Sequence, residues 1–282
     1  MQPVFRFAPS PNGHLHLGHA FSALLNAEAA QAVGGRFLVR VEDIDQARCT
    51  PELVQDALDD LRWLGLSWEE PVLRQSTRFL AYAAALDQLW SRGLLYACAC
   101  TRRDIEADAI TRARGAPPPR DPDGALIYSG RCRSWVRGPM PPLGLGVALR
   151  LDMARALEGV TLPLTWHDAD AGVQAADPAR WGDVVLARKD TPTSYHLAVV
   201  LDDAFQGVTD VVRGKDLFAA TEIHRLLQVL LGLPEPSYRH HPLITDADGH
   251  KLAKSRFSTP LRSLRAEGVM PEAIRASLGF AL

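Results

Sequence analysis

His16 and His19 stand three residues apart at the start of an apolar-periodic run. On a helix their imidazoles project side by side, where each can donate a hydrogen bond to a phosphate oxygen. They follow Arg6-Phe7-Ala8-Pro9-Ser10-Pro11-Asn12-Gly13, a β-like run that ends in a Pro/Gly turn. A strand passing through such a turn into a helix leaves backbone N–H groups unpaired and points the positive end of the helix dipole outward, which favours an anionic phosphate. Gly18, between the histidines, leaves the backbone open to a flat base. Two histidines near a helix start can also simply cap it, and a bare His-x-x-His pattern supports either reading; the turn and the preceding strand favour phosphate. Cys98, Cys100 and Cys132 form a second group, in a Pro- and Arg-rich stretch with few apolar residues, where a small subdomain commonly needs a metal. Zinc takes four ligands and no other Cys or nearby His supplies the fourth, so a metal centre and three free thiols are both open on spacing alone. Lys251, Lys254 and Ser255, late in the chain, read by themselves as a solvated loop.

The elements that must carry these residues alternate in type. Periodicity predicts a strand over 4–7, a helix over 17–33, a strand over 36–42, and helices over 51–64 and 77–92. Gly34-Gly35 closes the first helix, and Thr50 with Pro51 opens the second as N-cap and first helical residue. Strand-like runs return at 147–151, 183–188 and 208–212, then a helix at 217–231 and two short helices at 260–266 and 271–278. This is an α/β pattern with a mostly parallel sheet. Residues 1–97 and 147–236 form its two halves, 98–146 an insertion, and 237–282 a lysine loop with short helices.

Composition excludes several classes. The 282 residues are 47% hydrophobic and 23% charged with a formal net charge of −2, so bulk electrostatics does not hold this chain on nucleic acid. Between Thr101 and Met140, however, eight arginines face five acidic residues, a local excess that suits an RNA contact, although an excess this small is usually a solvated face. No run approaches the ~20 apolar residues that span a bilayer, and Pro3 interrupts the start where a secretion signal needs an apolar stretch. A cytoplasmic enzyme with neither membrane segment nor evident obligate protein partner is expected, its cysteines suited to a metal in a reducing compartment.

His16-Leu17-Gly18-His19 resembles the HIGH signature of class I aminoacyl-tRNA synthetases, and the run from Arg6 to Gly13 is similar to their glutamate branch. Lys251-Leu252-Ala253-Lys254-Ser255 resembles the matching KMSKS loop. The resemblance implies a Rossmann-like catalytic domain that activates an amino acid with ATP and Mg²⁺. His16 and His19 would then act at the α-phosphate and Lys254 on the pyrophosphate, with Lys251, Ser255 and Gly18 also at the nucleotide. A carboxylate side chain calls for the planar fork of arginine. Arg6 and Arg213 are the candidates, the latter in a run resembling the family's RGxDL segment, and which of them takes which carboxylate is open. Glu42 is the expected partner of the substrate ammonium, with Ala8, Ser10 and Tyr195 lining the pocket. Without the resemblance, Glu42, Asp43 and Asp45 read as a polar strand end pairing with Arg40 or Arg48, and Tyr195 as a half-buried core aromatic.

Tyr128, four residues before Cys132, matches the spacing of a tRNA-modifying branch of the glutamyl synthetases, in which a tyrosine oxygen completes a zinc site. Few residues follow Ser255, and no anticodon-binding domain is expected after it. That branch esterifies glutamate to queuosine in the anticodon loop of tRNA(Asp) after activating it without tRNA. Other readings are a minimal or shortened glutamyl-tRNA synthetase charging the tRNA 3′ end, a nucleotidyltransferase of cofactor synthesis sharing the HxGH helix start, and a non-catalytic tRNA-binding relative.

Overall fold

The computed structural model describes residues 2–134, 138–161, 163–244 and 259–280. Lys251, Lys254 and Ser255 lie outside the described residues. β1 (Val4–Phe7) is buried along its whole length and feeds α1 (Leu17–Ala32); β2 (Arg36–Val41) follows beside it in parallel. α2 (Pro51–Trp63) begins where Thr50 Oγ1 accepts from the Leu53 N–H, with Pro51 supplying a first position that needs no donor. β3 (Glu69–Arg74) then extends the sheet beyond β2, and α3 (Phe79–Ser91) leads to β4 (Leu95–Cys98).

Between β4 and β5 (Ala148–Leu151) lies the Pro- and Arg-rich stretch, which contains α4 (Arg102–Ala113) behind a Thr101/Asp104 capping box. Past α5 (Met153–Glu158) come β6 (Thr165–Asp168), β7 (Gly172–Ala175), β8 (Val185–Ala187), α6 (Tyr195–Gln206), β9 (Asp210–Gly214), α7 (Thr221–Leu231) and β10 (Ser237–His241). α8 (Leu261–Ala266) and α9 (Pro271–Ser277) close the described chain.

The main sheet runs β3-β2-β1-β9-β10-β6-β7, parallel except for the β6/β7 pair. Strand order therefore changes direction between β1 and β9, and the crevice beyond the carboxyl ends of these two strands is where an α/β sheet opens to a ligand. The run at 147–151, expected in the main sheet, instead pairs antiparallel with β4 and β8 in a separate three-stranded sheet. Its residues Leu149 and Leu151 face α3, α6 and α7 through Leu86, Leu89, Leu197 and Leu227. A second cluster joins α1 and α2 to Leu261, Ile274 and Phe280 of the C-terminal segment. Among the described residues no helix is long and apolar enough to cross a membrane.

The C-terminal helices are also held by charge. Arg262 pairs with Asp56 at 2.7 Å and Arg265 approaches Asp60 at 3.4 Å, while the Leu261 N–H donates to Leu15 O just before the His16 turn. Asp60 is fully buried, its oxygens make no hydrogen bond among the described residues, and burial pushes its carboxyl up to about 6. A carboxyl raised in the fold favours the folded state below its unfolded value near 4 and loses that contribution as pH rises through about 6. Asp60→Asn is therefore expected to raise Tm at pH 7.5 and to leave it unchanged or lower at pH 4.5. Thermal unfolding at the two pH values measures the difference.

Candidate active site

The crevice between β1 and β9 is a cavity of about 620 Å³. Arg6, Ala8, Ser10, His16, Gly18, His19, Glu42, Tyr195 and Arg213 all line it, so every described residue that the sequence assigned to amino acid or nucleotide faces one space. The fold explains the convergence: Arg6 is next to last in β1, Glu42 follows β2, Arg213 is next to last in β9, and the two histidines open α1, all toward the carboxyl edge of the parallel strands.

His16 is the N-cap of α1, its Nδ1 accepting from the Gly18 N–H at 3.1 Å, and His19 Nδ1 accepts from the His16 N–H at 3.2 Å. Capping and phosphate chemistry are thus not alternatives here. An Nδ1 that accepts is unprotonated, so a neutral ring carries its hydrogen on Nε2 as a donor. The structure also gives Gly18 a reason the sequence did not: a Cβ there would stand 3.0 Å from His16 Cε1, so the glycine makes room for the imidazole.

Arg6 and Arg213 have opposite electrostatic settings. Arg6 Nε pairs with Asp203 at 3.0 Å, and Asp203 pairs also with the fully buried Arg40 at 2.7 Å, which reaches Glu42 at 3.2 Å. Burial works to raise the Asp203 carboxyl, but Arg6 and Arg40 outweigh it and hold the group below the ordinary carboxylate value. Burial pushes Glu42 up despite the same two guanidiniums. Arg213, also buried, donates instead to His240 Nε2 at 3.1 Å, His224 Nδ1 at 3.1 Å, Thr221 Oγ1 at 2.7 Å, Leu217 O at 3.2 Å and Tyr195 Oη at 3.5 Å. None of these acceptors is a carboxylate. The Glu42–Arg40 and Asp45–Arg48 pairings anticipated for a polar strand end also form, the second at 2.6 Å, so Glu42 serves the network and the cavity together.

Sequence reasoning missed Asp203, His196, His224 and His240 as members of this network. The pair Asp202-Asp203 within the apolar helix α6, and His240-His241 closing a strand, were the available signals: charged or polar groups on a buried face need partners.

Residues 4–280 match the family of tRNA synthetases class I (E and Q), catalytic domain. The chain is 52% identical over 286 residues to a glutamyl-Q tRNA(Asp) synthetase of Rhodobacter capsulatus, covering 98% of this chain and 100% of that protein. The chain belongs to the class I tRNA synthetases (E and Q), within the glutamyl-Q tRNA(Asp) synthetase family. A protein of the same name from Leptothrix cholodnii is 44% identical, over 98% of this chain and 90% of its own. The crystal structure of glutamate-tRNA synthetase from Elizabethkingia anophelis superposes with a TM-score of 0.72 at 25% identity, over 92% of this chain and 55% of that one. This chain thus spans about half of the solved glutamate-tRNA synthetase.

The cysteines of this class I synthetase come together at the base of its insertion. The sulfurs of Cys98, Cys100 and Cys132 lie within 4.8 Å of one another, Cys100 and Cys132 at 3.5 Å. Sulfurs at about 2.3 Å from a tetrahedral zinc stand roughly 3.8 Å apart, so the spacing fits such an ion. Tyr128 Oη is 3.4 Å from Cys100 Sγ and accepts from the Cys132 N–H at 3.0 Å. Burial pushes the Tyr128 phenol up, and its ring lies under the Arg150 guanidinium at 4.0 Å. These residues, with Tyr96 and Ile105, are also the insertion's apolar core, which is why the stretch looked coreless in sequence.

Proposed function

We propose that the protein activates glutamate with ATP without needing tRNA, and transfers the glutamyl group to queuosine in tRNA(Asp). The observation that supports the amino acid is the set of charged groups lining the cavity: the guanidiniums of Arg6 and Arg213 suit the two carboxylates of glutamate, and of the two lining acids, Glu42 and Asp216, the buried Glu42 suits its ammonium. The acceptor rests on the likeness to the glutamyl-Q tRNA(Asp) synthetases over nearly the whole chain.

In this reading Glu42 takes the ammonium and the arginines the carboxylates, so that an α-carboxylate oxygen is aimed at the α-phosphorus of ATP. That oxygen forms the new P–O bond as the bond to the β-phosphate breaks and pyrophosphate leaves. Charge grows on the α-phosphate oxygens, where the Nε2–H groups of His16 and His19 and the amino end of α1 stabilise it without rearranging. Lys251, Lys254 and Ser255 belong to the nucleotide phosphates by resemblance, and Mg²⁺ arrives with ATP, held by phosphate and water. A queuosine hydroxyl then attacks the glutamyl carbonyl and AMP leaves. The exposed Arg102, Arg103, Arg112, Arg114, Arg120 and Arg131 suit the insertion to an RNA backbone.

The test is attachment of labelled glutamate to tRNA(Asp). Label recovered in the anticodon-loop fragment after nuclease digestion, and none on tRNA(Asp) lacking queuosine, is expected. Label on the 3′-terminal adenosine of tRNA(Glu) would make the protein a minimal glutamyl-tRNA synthetase instead.

We further infer one zinc held by Cys98, Cys100 and Cys132 with Tyr128 Oη as fourth ligand; there it would supply the cross-link that the insertion's small core lacks. Elemental analysis is expected to return one zinc per chain, and Cys132→Ser to lose it. Removing the metal should speed proteolysis within 98–134 and weaken tRNA use more than ATP–pyrophosphate exchange. Zinc well below one per chain in gently purified protein would contradict the assignment.

A further inference from the structure

Arg213 is held by a chain of two imidazoles that serves no other part of the proposed reaction. His224 Nδ1 lies 3.1 Å from Arg213 Nη1, and His224 Nε2 lies 3.2 Å from His196 Nδ1. A guanidinium can only donate, so His224 Nδ1 must accept; its hydrogen then sits on Nε2 and is given to His196 Nδ1, which leaves the His196 hydrogen on its own Nε2. Each tautomer is fixed by its neighbour. The far end, His196, packs edge-on against Trp181 and lines a second cavity of about 560 Å³ beside the insertion.

The choice of imidazole matters because of what else could stand there. A carboxylate at position 224 would hold Nη1 equally well but would neutralise the guanidinium and compete with an incoming carboxylate. An apolar residue would leave a buried N–H unpaired and the side chain free to turn. Neutral histidine fixes direction without cancelling charge. Of the five Arg213 hydrogen bonds among the described residues, the one to Tyr195 Oη is the longest at 3.5 Å, it uses the same Nη1 that His224 holds, and Tyr195 lines the cavity. Pinning one Nη1 hydrogen on His224 therefore leaves the other directed to Tyr195 Oη and the cavity that Tyr195 lines. Burial and the Arg213 charge keep both rings neutral, His196 lowered to about 4 and His224 well below its ordinary value.

We propose that His224, backed by His196, is a positioning residue for glutamate: a neutral imidazole chain that aims Arg213 at the substrate carboxylate while leaving its charge unspent. The proposal rests on glutamate being the amino acid bound in this cavity.

Two measurements test it. In ATP–pyrophosphate exchange, His224→Ala is expected to raise KM for glutamate by about tenfold or more with KM for ATP within twofold, and His224→Gln, whose amide offers a neutral acceptor and a donor, to restore most of the loss. His196→Leu, at a less buried position and safer for folding, should raise the glutamate KM by roughly threefold. Equal changes in both KM values, or a lowered Tm with an unmoved glutamate KM, would show a merely structural pair. Independently, the ¹⁵N shifts of His196 and His224 at neutral pH should report Nε2–H tautomers; a hydrogen on Nδ1 of either ring overturns the chain. Wild-type protein showing no glutamate-dependent exchange would overturn the functional reading, while the tautomers would still decide whether the chain exists.

Discussion

Arg213→Ala is expected to lower kcat/KM for glutamate in ATP–pyrophosphate exchange by about 2 to 5 kcal/mol, roughly thirtyfold to several-thousandfold. The guanidinium is buried, all its acceptors among the described residues are neutral, and glutamate brings two carboxylates for which the cavity offers Arg6 and Arg213. Removing it leaves a substrate carboxylate desolvated without a partner, so the loss should appear mainly as KM for glutamate. Arg213→Lys should recover little, because a single ammonium cannot satisfy Thr221, Leu217, His224 and His240 from one plane. Arg6→Ala is a less direct test of the same idea: Arg6 also neutralises Asp203, and its loss mixes binding with stability. A decline below threefold for Arg213→Ala, with the protein folded, would remove this residue from substrate binding.

Of the residues facing the cavity, His16 and His19 carry a local signal, whereas Arg6, Glu42, Tyr195 and Arg213 were picked out through the family resemblance. Ser10 to Gly13 before His16-x-x-His19, and the close pair Cys98 and Cys100, declare themselves within a few positions. Whatever depends on distant partners was silent. His224 and His196 lie 28 positions apart on two helices and meet only because α6 packs against α7. Asp203 reaches Arg6 from 197 positions away.

The fold divides in the same manner. β1, α1, β2 and α2 carry clear periodicity and caps, and the structure places them within one or two residues of expectation. β3 reads EEPVLR and is exposed along the outer edge of the sheet, so no apolar alternation marks it. β10, SYRHH, looks polar although Tyr238, His240 and His241 are buried; its histidines find Asp168, Arg213 and Ser22 only after folding. α6 contains LAVVLDD, whose β-branched pair and buried acids hide the helical period. The strand over 148–151 was recognisable as a strand, but its neighbours were not, since parallel or antiparallel pairing is set by β4 and β8 rather than by its own side chains.

The largest effect on stability is expected at Asp203. Its carboxylate joins Arg6 on β1 to Arg40 on β2, and Arg40, with no exposed surface, has Glu42 as its other ion-pair partner among the described residues. In Asp203→Asn the shape is kept and the charge is lost, leaving two buried guanidiniums to share one carboxylate. Breaking a buried pair from one side costs about 3 to 5 kcal/mol, whereas replacing all partners together costs far less. Urea unfolding at pH 7.5 should show a midpoint lowered in proportion with an unchanged m-value. The pH dependence gives an internal check. Because Asp203 is held below its ordinary value of 3.8, its contribution is present above that pH and is lost as pH falls through the lower folded value. Wild type and Asp203→Asn should therefore differ by the full amount at pH 7.5 and 5.5, and the gap should narrow only below about pH 4. A gap that closes between pH 7 and 5 would mean that Asp203 is not the ionised centre of this network, and that Glu42, whose carboxyl is raised by burial, carries the charge that holds Arg40.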